Sequence, residues 1–154
     1  MDTGEQPESG TSADERVEDS PTPWVAKHIR SYVESNGQKG RLFHGMPTLL
    51  LTTRGRRSGV LRRTALIYGE AGDTYLVVAS DGGSPNHPNW YLNLTEDPAV
   101  DVQIGGEVFP AWARTAGDAE KPLLWKQMVS IFPTYDAYQA KAGRAIPVVI
   151  LERA

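Results

Sequence analysis

Apolar and polar positions alternate along the chain with two periods, one typical of strands and one typical of helices. Strand-like runs rich in apolar and β-branched residues are expected at about 47–54, 60–70, 74–80, 100–104, 108–115 and 146–151. Helix-like spacing is expected at about 23–36, 88–96 and 118–132, with a shorter helix around residues 135–138. Glycine-containing turns join most of the strands as hairpins. This order predicts a mainly β fold with α (α+β), a small antiparallel barrel with peripheral helices.

The two longer helices carry recognisable end signals. Pro23 lies in the first turn of the earlier helix and Gly37 lies just past its end, whereas Asp118 is the expected N-cap of the later one, with Pro122 in its first turn. The earlier helix has one apolar stripe: Val25, Ile29, Tyr32 and Val33. The stripe predicts packing on the barrel or over a ligand site, and a peripheral membrane contact through residues 23–36 is the alternative.

The first 22 residues differ from the rest in charge. They hold seven acids and one base, so residues 23–154 carry a net charge of +3 although the whole chain is at −3. With few apolar side chains, residues 1–22 are predicted to be a disordered acidic tail ahead of one domain at residues 23–154. They do not resemble a signal peptide, and no apolar run approaches membrane-spanning length. The absence of cysteine fits a cytoplasmic location, with membrane association depending on the first helix.

The densest group of charges after the tail is an arginine-rich turn. The run 52–59 reads TTRGRRSG and is followed by Arg62 and Arg63, so five arginines fall within ten positions between two strand-like segments. Guanidinium groups and exposed backbone N–H groups suit phosphate or carboxylate, and an anionic ligand is therefore expected. A solvated basic hairpin tip is the alternative. No nucleic-acid partner is expected, because the remaining bases are scattered.

Two further segments place small and polar groups near one another. The run ASDGG at 79–83 ends a strand in a glycine turn, where a flat ligand can approach the backbone and Ser80 offers a hydroxyl. The run HPNWYLNL at 87–94 places Asn89 and Asn93 four residues apart, on one face of a short helix. An ordinary turn and barrel packing by Trp90 are the alternatives for these two segments.

An aromatic group follows the later long helix. Phe132, Tyr135 and Tyr138 are three residues apart around Pro133. They are interpreted either as core packing or as a wall over a planar ligand, with phenol groups available for hydrogen bonding or proton donation.

Several other chemistries lack their sequence signals. The three histidines share no metal-ligand spacing, so no metal is expected. There is no G-x-S-x-G nucleophile elbow and no glycine-rich phosphate-loop or dinucleotide motif.

Taken in order, TTRGRRSG, ASDGG, HPNWYLNL, FPTYDAYQ and IPVVIL resemble the deazaflavin-dependent nitroreductases and F420H2-dependent quinone reductases. The resemblance covers about residue 47 to the C-terminus. It implies a split β-barrel, FMN-binding-like, and coenzyme F-420 (F420, an 8-hydroxy-5-deazaflavin) as cofactor. It also implies hydride transfer from reduced F420 to a small electron-poor substrate, namely a quinone, nitroaromatic or activated enone. A homodimer is left open.

The resemblance further implies roles for individual residues. The cofactor's phosphate and oligoglutamate tail would be held by Arg56, Arg57, Ser58, Arg62, Arg63, Thr64 and Ala65. The ring would be lined by Val78, Ala79, Ser80 and Asp81, with Ser80 near the hydride-carrying edge. The groove would be completed by Asn89, Trp90, Tyr91, Leu92 and Asn93. Catalysis would involve Ser80, Tyr135 and Tyr138, with both tyrosines facing the substrate and Tyr135 also reaching the cofactor.

Two positions depart from this pattern. Asp81 stands where a cation or neutral residue is common, and its charge would repel a glutamate tail. Phe132 replaces a third tyrosine found in some members. Two other interpretations stay open: an FMN-binding split-barrel oxidoreductase, whose single phosphate would need fewer arginines, and a non-enzymatic cofactor carrier that binds without turnover.

Overall fold

Residues 16–154 form one nine-stranded sheet with four α-helices packed around it. The computed structural model describes residues 16–154. The strands are β1 (Val17–Asp19), β2 (Leu42–Phe43), β3 (Met46–Arg54), β4 (Leu61–Ile67), β5 (Gly69–Ala71), β6 (Thr74–Val78), β7 (Ala99–Ile104), β8 (Glu107–Thr115) and β9 (Val148–Arg153). The helices are α1 (Pro23–Glu34), α2 (Asn89–Glu96), α3 (Lys121–Ile131) and α4 (Thr134–Ala142), and a short 3₁₀ turn spans Asp81–Gly83.

The sheet is built mostly from hairpins, as the glycine turns predict. Its strand order is β1-β4-β3-β7-β8-β9-β6-β5, with β2 paired to β3. The β1–β4 pair is parallel and the other pairs are antiparallel. Within residues 16–154 the order ends at β1 and β5 without joining them, so the sheet is not closed. The predicted α+β class is confirmed.

Some predicted boundaries were wrong. The strand expected at 60–70 is two strands, because β4 pairs with β3 whereas β5 pairs with β6. Gly69 lies at the change of partner, where an added Cβ would fall 2.7 Å from the sulfur of Met128 on α3. The helix expected from Asp118 begins at Lys121, because the Glu120 carboxylate accepts the Gly117 N–H at 2.9 Å and holds the chain in a turn before it.

The acidic tail contributes part of the sheet. β1 lies beside β4, with Glu18 opposite Arg62 and Asp19 opposite Arg63. An ion pair of 2.7 Å joins Glu18 to Arg62, and another of 2.7 Å joins Asp19 to Arg63. The prediction of disorder through residue 22 was therefore wrong for Val17–Asp19, because it counted apolar side chains and not the opposite charges across the chain. Residues 1–15 lie outside the described residues.

The apolar stripe of α1 is buried on the sheet. Ile29 and Tyr32 are fully buried and pack with Leu50 of β3. The Tyr32 hydroxyl donates to the Thr48 carbonyl at 3.0 Å and accepts the Gly105 N–H at 2.8 Å. Packing rather than membrane contact therefore accounts for the stripe. Among the helices of residues 16–154, none is long and apolar enough to cross a bilayer.

Candidate functional site

A cavity of about 990 Å³ lies between the strand edge at β1 and β4, the loop after β6, and helices α2 and α4. It gathers segments that are far apart in sequence. All but three of the predicted site residues line it, including Arg57 from the turn, Ser80 and Asp81 from the loop, and Tyr135 and Tyr138 from α4. The segments singled out in the sequence therefore share one site.

Arg56 clamps the arginine-rich turn onto α2. Its backbone N–H and its Nη1 both donate to Asn93 Oδ1, at 3.1 Å and 2.9 Å, and its Nη2 donates to Asn89 Oδ1 at 3.3 Å. Asn93 is itself buried and donates to Thr53 Oγ1 at 3.2 Å. Because the asparagine oxygens already accept hydrogen bonds from its guanidinium, Arg56 stabilises the cationic rim of the cavity, which is formed by the arginine-rich turn and β4. It has few N–H donors left for a ligand.

The remaining arginines of the rim differ in what they already bind. Arg62 and Arg63 are paired with Glu18 and Asp19, so their positive charge is partly neutralised within the cavity wall. Arg57 is exposed, and within residues 16–154 it has no hydrogen-bond or ion-pair partner. Arg57 is therefore the most available cation for an anionic ligand.

The loop after β6 is held from beneath by Arg144, which follows α4. The Arg144 Nη2 donates to the Ser80 carbonyl at 3.0 Å, and its Nε donates to the Ser84 carbonyl at 3.0 Å. Its Nη1 lies 3.0 Å from His87 Nδ1. Burial, and secondarily the positive charge of Arg144, lowers the pKa of His87 below its usual range, which favours the neutral ring.

Close packing joins the same loop to α4. Asp81, Gly82 and Gly83 all have positive φ, and Gly83 has a φ of 84°. A Cβ added at Gly83 would lie 3.0 Å from the Tyr138 Cα. Glycine is needed there both for its backbone conformation and for the approach of the helix.

The aromatic residues of α4 and its entry form one wall of the cavity. The Phe132 ring lies 4.9 Å from Tyr135 and 6.0 Å from Tyr138, centroid to centroid. Tyr135 is only 5% exposed, and this burial raises its pKa well above the usual range for tyrosine. The Tyr135 hydroxyl therefore stays protonated and is a weak acid, suited to hydrogen bonding more than to proton release.

Three predicted residues do not line the cavity. On α2, positions 89, 90 and 93 share the cavity face, and the helical period turns Tyr91 and Leu92 away. The Tyr91 hydroxyl instead lies 2.8 Å from Thr115 Oγ1. Ala79 is fully buried, and its carbonyl accepts from Arg144.

The structure also adds residues that sequence reasoning missed. His87 and the acids of β1 line the cavity, whereas Arg144 supports it from behind. His87 belongs to the HPNWYLNL run, so its neighbours were the available signal. No local signal marks Arg144, because its contacts are with residues about sixty positions earlier in the chain.

Within residues 16–154 no group of three or more histidine, aspartate or glutamate side chains is arranged to hold a metal ion.

Fold and site together define an α+β protein whose large cavity has a cationic rim and an aromatic wall, features suited to a flat ligand with an anionic extension. The sequence model of the F420H(2)-dependent quinone reductase family matches residues 24–153. An F420H(2)-dependent quinone reductase of Mycobacterium tuberculosis H37Rv is 39% identical over 144 residues, which are 84% of this chain and 96% of the relative.

Two solved structures are also similar. One, described as an F420-H2 dependent reductase, has 43% identity and a TM-score of 0.64. The match covers 69% of this chain and 94% of the chain in that structure. The other, described as a domain-swapped dimer, has 39% identity and a TM-score of 0.67. The match covers 86% of this chain and 100% of the chain in that structure. The chain belongs to the F420H(2)-dependent quinone reductase family.

Proposed function

We propose that the cavity holds F420 with its anionic tail along the arginine-rich turn and its ring between the Ser80 loop and the aromatic wall. Family membership makes the protein an F420H2-dependent reductase with coenzyme F420 as its cofactor. The observation that supports this placement is the gathering of the free Arg57, the glycine loop and the α4 tyrosines around one cavity.

The residues present fit the tail of this cofactor. Arg57 and the hydroxyl of Ser58 lie on the exposed turn and line the cavity. Arg62 and Arg63, on the neighbouring strand, would add charge once shared with or released from Glu18 and Asp19. A multi-anionic tail gains more from such a row of cations than a single phosphate does, which favours F420 over FMN.

The part of the cavity lined by the Ser80 loop and the aromatic wall fits the ring and the acceptor. When bound, the reduced deazaflavin supplies a hydride. The wall of Phe132, Tyr135 and Tyr138 would exclude water and orient a planar acceptor, and Ser80 would hold the reacting edge of the ring. Because Tyr135 is a weak acid, we assign it and Tyr138 to hydrogen bonding of the acceptor, with water as the proton source. The substrate class is a quinone, with nitroaromatics and activated enones as further acceptors.

The type of β fold and the oligomeric state are also part of the proposal. The antiparallel, hairpin-built sheet with helices at its periphery supports a split barrel of the FMN-binding type. The similarity to a domain-swapped dimer supports a homodimer, which light scattering at several protein concentrations would detect.

The function is tested by titrating the protein with oxidised F420, FMN and NADP side by side, then measuring menadione reduction by F420H2. We expect tight binding of F420 alone, weakened by salt, together with turnover. Equal affinity for FMN would overturn the tail assignment, and binding without turnover would favour a carrier.

A matched pair of variants tests the site. Arg57→Ala should weaken F420 binding about tenfold or more, because a charge-assisted hydrogen bond contributes about 1.5–3 kcal/mol. Arg114→Ala removes an equal charge outside the cavity, where Arg114 pairs with Glu120, and should leave the affinity unchanged. Equal effects of the two substitutions would contradict the proposed tail site.

A further inference from the structure

His87 and Arg144 contact each other through the His87 Nδ1 and the Arg144 Nη1. His87 lies in the loop between the 3₁₀ turn and α2, is half-buried, and lines the cavity. Arg144 lies behind the same loop and holds it by the carbonyls of Ala79, Ser80 and Ser84. One guanidinium therefore fixes both the shape of the loop and the environment of the histidine.

The pair determines which ring nitrogen of His87 carries the proton. A guanidinium has only N–H donors and stays protonated in proteins, so at the 3.0 Å contact with Arg144 Nη1 the His87 Nδ1 must accept. A neutral imidazole that accepts at Nδ1 carries its hydrogen on Nε2. Protonation of Nδ1 as well would place a second positive group against Arg144, which agrees with the lowered pKa of His87.

The other nitrogen is left for a ligand. Within residues 16–154, His87 Nε2 has no hydrogen-bond partner, and the ring is supported on one side by Tyr91, whose centroid lies 4.8 Å away. The ring is thus fixed on its Nδ1 side and on one face, with an unused N–H donor in a residue of the cavity wall.

We propose that His87, held by Arg144 as the neutral Nε2–H tautomer, donates a hydrogen bond to an oxygen of the bound cofactor, and that Arg144 is a positioning residue. This inference rests on the proposed function, because the acceptor is F420. A neutral donor at this place binds an oxygen without adding positive charge to the cavity wall, and Arg144 keeps Nε2 protonated across neutral pH.

The tautomer is measured on the free protein by long-range ¹H–¹⁵N correlation NMR of ¹⁵N-labelled histidines. We expect His87 to show a protonated Nε2 and an unprotonated Nδ1 near pH 7, and its signals are assigned with His87→Gln. His28 serves as a control within the spectrum, because its Nε2 faces the Gly40 carbonyl at 2.6 Å and its signals should not respond to changes at Arg144. A protonated Nδ1 on His87 would overturn the inference whatever the protein binds.

Two substitutions at position 87 then separate donor from packing. The Gln side chain carries an N–H near the position of Nε2, whereas Asn carries its amide near Nδ1, so His87→Gln should keep F420 affinity and His87→Asn should lose about three- to tenfold. Equal affinities for wild type, Gln and Asn variants would overturn the inference.

Arg144→Lys tests the positioning role. It keeps the positive charge but loses the planar set of N–H donors that contacts both the loop carbonyls and His87, so we expect mixed His87 tautomers and weaker F420 binding in the same protein. If His87 keeps a single tautomer in this variant, Arg144 is not its positioning residue. If the wild-type protein has the expected tautomer and does not bind F420, the proposed function is wrong, and so is the proposed contact between His87 and the cofactor.

Discussion

Neutralising the acids of β1 should tighten the binding of F420. Glu18→Gln with Asp19→Asn removes the ion pairs that hold Arg62 and Arg63 and leaves the size of each side chain almost unchanged. An anionic tail would then meet two cations without displacing a carboxylate first. The sign of the effect is unusual, because removing native interactions improves ligand binding.

The size of the effect follows from the exposure of the two pairs. The side chains of Glu18 and Arg62 are 40% and 47% exposed, and those of Asp19 and Arg63 are 25% and 23% exposed. Exposed pairs contribute about 0.2–1 kcal/mol each, and the second pair lies toward the upper end because it is less solvated. Together they amount to roughly 0.5–2 kcal/mol, or about a two- to thirtyfold lower Kd.

The assay is fluorescence titration of F420 at low and high salt. Glu107→Gln is the matched control, because it neutralises an acid in a comparable ion pair with Arg153, 2.8 Å long and outside the cavity. Added salt should shrink the difference between the double variant and wild type, since the Debye length falls to about 3 Å at 1 M. An unchanged Kd in the double variant, or an equal shift in Glu107→Gln, would refute the competition.

Three other expectations concern the scaffold and the aromatic wall. Tyr32→Phe should lower the free energy of unfolding in urea by about 1–3 kcal/mol, because the half-buried Gly105 N–H loses its acceptor; no change in the midpoint would contradict this. Gly83→Ala should lower both Tm and turnover, since the new Cβ meets the backbone of Tyr138; an unchanged Tm would mean the loop and helix adjust freely. Tyr135→Phe and Tyr138→Phe should reduce kcat with menadione by less than the roughly 10²-fold of a general acid and leave F420 affinity unchanged; wild-type kcat in both would remove their role.

Most of the sheet could be predicted from the sequence because hairpins form between strands that are neighbours along the chain. Alternating strands joined by glycine turns specify hairpins such as β7 to β8, and the apolar stripe of α1 specifies a buried face. The division of the 60–70 segment was missed because it depends on partners, β3 on one side and β6 on the other, which no local pattern encodes. The start of α3 was missed because Glu120 folds back onto Gly117.

The candidate site divides in the same way. Contiguous motifs supplied most of the cavity wall, since neighbouring residues on a turn or helix face stay together when the chain folds. The parts that control those motifs come from elsewhere: Glu18 and Asp19 reach the arginines across 44 positions, and Arg144 reaches Ser80 across 64. Charge counts over a segment indicate that a partner is needed, and only the fold identifies it.

β1 also protects a sheet edge. Without it, β4 would present a row of unpaired backbone N–H and C=O groups along a strand of seven residues, the kind of surface on which another chain can add as a strand. The three residues of β1 pair with residues 61–63 of that strand, and their two carboxylates place negative charge at the outermost strand. Shortening the chain from the N-terminus should therefore be tolerated until β1 is removed and should then promote self-association, so that colloidal stability and ligand affinity respond in opposite directions to the same segment.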